Sequence, residues 1–308
     1  MKQLILHHYP NSPFAEKIRL IFGFKGLNWS SVIIPNVMPK PDVIALTGGY
    51  RKTPILQIGA DIYCDTALIA DVIEAQAAQP TLYPVGIAGA SRIFAQWADS
   101  TLFWTMIPYA LQPAGLAHMF SGVPPEGIKA FNDDRTVFRA NMPRMRAAEA
   151  GAGFVLYLDR LSEALGQQTF FFGSAASIAD FSIYHNFWFV MRAAPMAKIF
   201  ESYPTLTAWR ERMEAFGHGT MDKLDSTSAI AIAHDARAEA SSGLLADTHG
   251  IAIGERVVVA ATDTGVDPIE GTLYAAAKDR VSIAREDARA GKVVVHFPRL
   301  GFEMRRVK

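Results

Sequence analysis

The chain has 308 residues, half of them hydrophobic and 19% charged, enough for two or three domains with ample core. Thirty basic and thirty acidic residues cancel to zero net charge, so no bulk attraction to nucleic acid or anionic lipid is built in. A single cysteine, Cys64, excludes an internal disulfide and a multi-cysteine metal site and fits a reducing cytoplasm.

Lys2 to Leu6 predicts a strand, and Met1 to Leu6 has no apolar run of signal-peptide length. After a loop, Ser12-Pro13 opens a helix: Ser is a good N-cap, and Pro at the first helical position gives up an N–H that would be unpaired anyway. Phe14, Ile18, Ile21 and Phe22 form its apolar face, with Glu16, Lys17 and Arg19 on the other side and Gly26 as a stop. Trp29 to Ile34 is a second strand, and Met38 to Gly49, punctuated by Pro39, Pro41 and Gly48-Gly49, is a loop with a short helix. Ile55 to Ile58 and Asp61 to Tyr63 make a hairpin turning at Gly59-Ala60, followed by an amphipathic helix over Thr66 to Ala78. Strand–helix–strand, then a hairpin and a covering helix, define an α/β layer over residues 1–79.

Gln79 to Gly86, with Pro80 and Pro84, reads as a linker. Residues 87–225 form an all-helical domain, its helical periodicity carried to about Phe216 by sets such as Val155, Leu158, Leu161 and Leu165. The apolar run Phe181 to Met191 is too short to cross a bilayer. Residues 226–308 read as a separable third unit: an Ala-rich helix over Ser226 to Ser241, then strands over Arg256 to Ala261, Gly271 to Ala276, Arg280 to Ala284 and Lys292 to Phe297, forming a small β-barrel or open sheet. Arg299, Arg305, Arg306 and Lys308 make the end basic. From residue 230 onward, however, eleven Lys/Arg meet eleven Asp/Glu, which favours a solvated tail over a nucleic-acid module.

Four local features carry chemistry. Ser12 places a hydroxyl at a helix N-terminus, where partial positive charge suits a thiolate; it is equally an ordinary cap. Pro54 begins a strand after a loop, where a cis bond would turn the backbone of Thr53 toward a ligand; it is equally an edge proline. Asp65-Thr66 opens the next helix and fits either a cap or a grip on an α-amino-acid group. Ser177 to Asp180 is a capping box with Asp at its third position. His7 and His8 point to opposite faces of their strand, and Cys64 lies on an apolar strand, so all three read as structural and no metal site is expected.

In their order and spacing these pieces resemble the cytosolic glutathione transferase superfamily over residues 1–220, with Tyr203-Pro204 and Trp209 as further matches. The resemblance implies a thioredoxin-like N-terminal domain, an all-helical domain and an atypical β-rich extension. It implies that Thr53, held by Pro54, pairs its backbone with the cysteinyl part of glutathione. Asp65 and Thr66 would grip the γ-glutamyl end, Lys52 or Lys40 would sit near the peptide carboxylates, and Ser12 would hydrogen-bond the sulfur. Phe14, Trp104 and Ile107 would face an apolar electrophile in the acceptor cleft. It further implies glutathione as co-substrate, a homodimer, a cytoplasmic setting and no metal or membrane partner. The pair is Asp-Thr here, where Glu-Ser is commoner in the family. A non-catalytic interaction scaffold of the same fold is the rival reading, raised by the extension.

Overall fold

The computed structural model describes residues 2–139, 142, 145–239 and 250–307. The α/β layer is built from β1 (Ile5–His8), α1 (Pro13–Phe24), β2 (Asn28–Ile33), α2 (Pro41–Thr47), β3 (Ile55–Ile58), β4 (Asp61–Cys64) and α3 (Thr66–Gln76). β1 pairs parallel with β2 and antiparallel with β3, which turns back into β4 at Gly59. This is a thioredoxin-like layer. The helical domain follows as α4 (Ala88–Trp97), a π-turn over Ala98–Leu102, α5 (Phe103–Ala110), α6 (Pro113–Met119), α7 (Pro125–Arg139), α8 (Ala147–Leu165), α9 (Ile178–Arg192), α10 (Ala194–Ala197), a 3-10 turn over Lys198–Ser202 and α11 (Pro204–Glu214).

Within the bounds 87–225 expected to be all helical, Thr220–Lys223 is instead a strand, β5; the extension follows as α12 (Ser226–Asp235), β6 (Arg256–Ala261), β7 (Ile269–Ala276), β8 (Arg280–Asp287), β9 (Gly291–Pro298) and β10 (Phe302–Arg306). It does not stand apart. β9 pairs parallel with β4 and β5 pairs parallel with β2, so ten strands run as one sheet in the order β10-β6-β7-β8-β9-β4-β3-β1-β2-β5. The expected separable unit is thereby corrected: a strand that completes a ladder cannot be detached without opening an edge. The basic end is also not a free tail, because β10 pairs with β6 and Arg306 binds Glu255 at 2.9 Å. The helix expected to run to Ser241 ends at Asp235, with Ala236 extended, and Ser241 and Lys308 lie outside the described residues.

Strand alternation divides the interior into two cores. Leu4, Leu6, Leu56 and Tyr63 face α1, α3 and the helical domain. Ile5, Val32, Ile55, Ile62 and Cys64 face α2, α12 and the extension, in a cluster with Ile283, Val295 and Phe297. The seam between old sheet and new is also polar. Ser282 Oγ lies 2.8 Å from His296 Nδ1, and His296 Nε2 lies 2.8 Å from Asp61 Oδ1, while Tyr63 stacks on the His296 ring at 4.5 Å. This chain of side chains crosses β8, β9 and β4, with Ser282 only 1% exposed.

His7 and His8 divide as the strand period requires, and both are buried. His7 binds Gln57 at 2.7 Å, and Gln57 in turn donates to Ala229 O of α12. His8 binds Ser31 at 2.8 Å and contacts Arg19 at 3.0 Å. Burial pulls the two imidazoles down to about 4 and about 3, with Arg19 adding to the effect at His8. In the helical domain the Asp180 carboxylate is fully buried and accepts bonds from the Ser177 N–H, the Phe171 N–H and Trp209 Nε1. The capping box and the distant Trp209 thus meet on one carboxylate.

Two outcomes follow from this packing. Truncation before Gly250 would bare the β4 edge and the Ile5–Ile62 face, so the shortened chain should aggregate or lose its cooperative melt; a soluble product with an unchanged melting temperature would contradict the shared core. Because both histidines titrate lower folded than unfolded, their stabilisation is complete above pH ~6.5 and is lost as pH falls toward their folded values, by about 1.4 kcal/mol per pH unit for each. Urea unfolding from pH 7.5 to 5 should show this decline, and His8→Asn should flatten it.

Candidate glutathione site

Register brings the expected residues together. His7 sits opposite Ile55, and Ile55 opposite Cys64. The segments continuing from these positions therefore emerge at one end of the sheet: Tyr9 to Ser12 after β1, Thr53-Pro54 before β3, and Asp65-Thr66 after β4.

Ser12 caps α1 and is 2% exposed; its Oγ accepts the Ala15 N–H at 3.2 Å. Capping uses the oxygen as an acceptor and leaves the hydroxyl proton free to donate. The Thr53–Pro54 peptide is cis, and Thr53 lies just outside the ladder that starts at Ile55. Asp65 caps α3 by accepting the Ala67 N–H at 2.9 Å with a φ of +74°, the only non-glycine positive φ among the described residues. A conformation of this kind costs on the order of 1–3 kcal/mol and persists where the surroundings dictate it. Burial raises the Asp65 carboxyl, while Lys52 and the Ala67 N–H oppose the rise.

Thr66 is buried, and its hydroxyl accepts from Lys17 Nζ at 3.3 Å. Lys17 was expected on the polar side of α1, and Glu16 and Arg19 with it; all three are instead buried, because α9 and the end of the helical domain pack over that side with matching partners. Lys17 binds Asp99 Oδ2 at 2.6 Å, and Asp99 Oδ1 meets His185 Nε2 at 2.9 Å. Burial pushes the Asp99 carboxyl up, but Lys17 and His185 outweigh it and hold the group below the usual carboxylate range. Burial likewise depresses His185. Glu16 joins Arg19 at 2.6 Å and His218 at 2.9 Å. The only sequence signal for these interdomain pairs was three charges on one helix.

The two lysines expected near peptide carboxylates are already engaged. Lys40 is buried and donates to Thr53 Oγ1 at 3.1 Å and Arg51 O at 3.4 Å; burial, reinforced by Arg135, lowers it to about 8. Lys52 pairs with Asp263 of the extension at 2.5 Å. Among the acceptor-cleft candidates, Phe14 packs on Phe103 at 4.8 Å and His185 at 4.7 Å, and Trp104 meets Phe103 edge-on at 5.0 Å. Trp104 and Ile107 are half-buried against the helical core. A cavity of about 420 Å³ lies elsewhere in the helical domain, between His118, Trp188, Arg192 and Arg210; it touches none of the expected residues, although Arg192 binds Asn11 at 2.7 Å. Cys64 is fully buried, with its thiol pushed well up by burial. No cluster of metal-ligating side chains occurs among the described residues.

A thioredoxin-like layer with a capped helix, a cis-proline turn and an Asp-Thr helix start at one sheet end, joined to an all-helical domain, defines a glutathione-transferase-type protein. The chain belongs to the glutathione S-transferase superfamily. Residues 6–81 match the model for the glutathione S-transferase N-terminal domain, and residues 144–212 match that for the C-terminal domain. A GST-like protein from Pseudomonas syringae is 41% identical over all of both chains, extension included, with a TM-score of 0.84. The beta-etherase LigF from Sphingobium sp. strain SYK-6 is 18% identical over 69% of this chain and 95% of its own, with a TM-score of 0.52. Human glutathione transferase theta-2, solved with glutathione, is 19% identical over 69% of this chain and 82% of its own, with a TM-score of 0.50. No curated protein sequence matches the chain.

Breaking a buried ion pair from one side strands the other charge and costs about 3–5 kcal/mol. Lys17→Met should therefore lower unfolding free energy by about that much, and Lys17→Met/Asp99→Leu should recover most of it. Chemical denaturation of the two variants checks this, and a double variant no better than the single would show that the pair is not the unit.

Proposed function

We propose that this protein is a glutathione transferase that ionises the thiol of bound glutathione for attack on an apolar electrophile. The observation that carries the reading is Ser12, whose oxygen is spent as the cap of α1 while its proton remains available at the positive end of the helix. Asp65 and Thr66 would hold the γ-glutamyl end, the main chain of Thr53, set by Pro54, would pair with the cysteinyl unit, and Phe14, Trp104 and Ile107 would border the acceptor. Lowering a thiol from about 8.5 by two units needs about 2.7 kcal/mol. A helix N-terminus supplies up to ~2 kcal/mol in a partly buried site, and a hydrogen bond to an anion roughly 1.5–3 kcal/mol. Together they suffice, so no general base is required and Ser12 acts as donor to the thiolate. Conjugation is the reaction this arrangement performs most directly. A cytoplasmic homodimer completes the reading.

Ser12→Ala removes one bond to the anion and should lower turnover about 10- to 100-fold. The loss should be greatest near neutral pH and shrink under alkaline conditions, where the thiol ionises unaided, while glutathione affinity moves little. The measurement is the pH profile of conjugation to a reactive aryl halide. Identical profiles for wild type and variant would remove Ser12 from the mechanism. Tight glutathione binding by the wild type with no turnover of several acceptor classes would favour a non-catalytic scaffold.

A further inference from the structure

Four cations gather on this side of the molecule: Lys40 and, from α7, Arg135 beside Tyr9, and Arg51 and Lys52 on the loop before Thr53. Arg135 donates to Tyr9 Oη at 3.3 Å and Asn36 O at 2.9 Å, and Lys40 Nζ lies 5.6 Å from the centre of the Tyr9 ring. Three carboxylates answer them. Asp134 binds Arg51 at 2.7 Å and Arg135 at 2.5 Å, Asp267 lies 3.7 Å from Arg51 Nε, and Asp263 lies 2.5 Å from Lys52 Nζ. Asp263 and Asp267 belong to the loop between β6 and β7, outside both matched family domains.

That loop is fastened to α7. The Gly265 N–H donates to Phe138 O at 2.8 Å, and a Cβ on Gly265 would come within 2.9 Å of the Phe138 ring at a φ of +57°. α7 contributes no residue to a hydrophobic core, so ionic and main-chain contacts, the buried Asp134 carboxylate among them, hold it here. The pairs differ in exposure. Arg51 and Asp134 are each 8% exposed, whereas Asp263 is 50% exposed. The Asp263 end of its pair is open to water while Lys52 is 18% exposed, and a pair with one partner this exposed is worth about 0–1 kcal/mol. The Lys52 ammonium lies 5.6 Å from the centre of the Phe302 ring of β10, so the extension holds it with both an aromatic face and Asp263, while its charge still reaches Asp65 and opposes the rise of that carboxyl.

We propose that Asp263 is an internal competitor for Lys52, through which the extension sets the affinity of the glutathione site. This rests on the reading of that site as glutathione-binding. The glycine carboxylate of glutathione takes the Lys52 ammonium, Asp263 is displaced into solvent, and the β6–β7 loop is released from one of its three anchors. Asp134 keeps its buried partner and holds Arg51 throughout.

Calorimetric titration of the full-length protein with glutathione tests this. Asp263→Asn should bind glutathione about two- to five-fold more tightly at low salt, with the gain fading at about 0.5 M salt as exposed charges are screened. Lys52→Met should weaken binding, and in that background Asp263→Asn should give no gain. Backbone amides of residues 262–268 should exchange faster when glutathione is added to the wild type. Binding by both proteins with no gain in Asp263→Asn, an equal gain without Lys52, or slower exchange in the loop would overturn the competitor alone. No glutathione binding by either protein would overturn the underlying reading and the competitor with it.

Discussion

β4 is hydrogen-bonded along both sides, antiparallel to β3 and parallel to β9. Without β9 it would be an open edge, with its main-chain N–H and C=O groups free to recruit another strand. Filling that edge commits the last part of the chain to the first. β6, β7, β8 and β10 then extend the same sheet, and their apolar sides close over the face that carries Ile5, Ile55 and Ile62. The Ser282–His296–Asp61 chain fixes this junction laterally, since each of its polar groups would be unpaired if the strands slipped. α12 seals the other flank by packing on α2, β2 and β9, where its Ala229 carbonyl accepts from the Gln57 side-chain amide.

The opposite face of the sheet is organised around the helical domain, and its boundary is more polar than a simple apolar docking surface would be. Lys17, Glu16 and Arg19 project from α1 into that boundary and find Asp99, His185 and His218 there. Just past the other end of α1, Lys25 ties the helix instead to α3 and the linker that follows it, donating to Glu74 and to the carbonyls of Ala77 and Pro80 at 2.6 to 2.8 Å. The paired charges across the boundary define one relative orientation of the domains, because each is costly to bury without its partner. The hydroxyl of Thr66 is joined to this network through Lys17, which ties the entrance of α3 to the domain interface.

The candidate site lies where these two constraints meet. Its hydroxyl, cis-proline turn and helix start come from three adjacent strand ends, so the sheet itself sets their spacing. Its surrounding charges come from three separate regions: the loops of the α/β layer, the end of α7, and the β6–β7 loop. A site bordered by the extension differs electrostatically from one bordered by the two family domains alone, even with the same core residues.

Much of this was legible in the sequence. Ser12-Pro13 started α1, Gly26 followed its end with a φ of +60°, and Gly59 turned the hairpin, because caps and turns are local chemistry. β6 had its expected bounds, since alternation and turn residues are also local. β5 and β10 were not legible: Thr220–Lys223 and Phe302–Arg306 are short, polar edge strands whose only signal is the partner each pairs with. The sequence by itself determined the elements that carry local signals, the two family domains, and that Ser12 and Asp65 cap helices and Pro54 precedes a strand. Only the tertiary structure decided that the extension joins the first sheet, that Lys17 is buried against Asp99, and that Asp263 sits on Lys52. Each of these joins residues far apart in the chain, and neither propensity nor periodicity carries information about which distant charge or strand edge will be met.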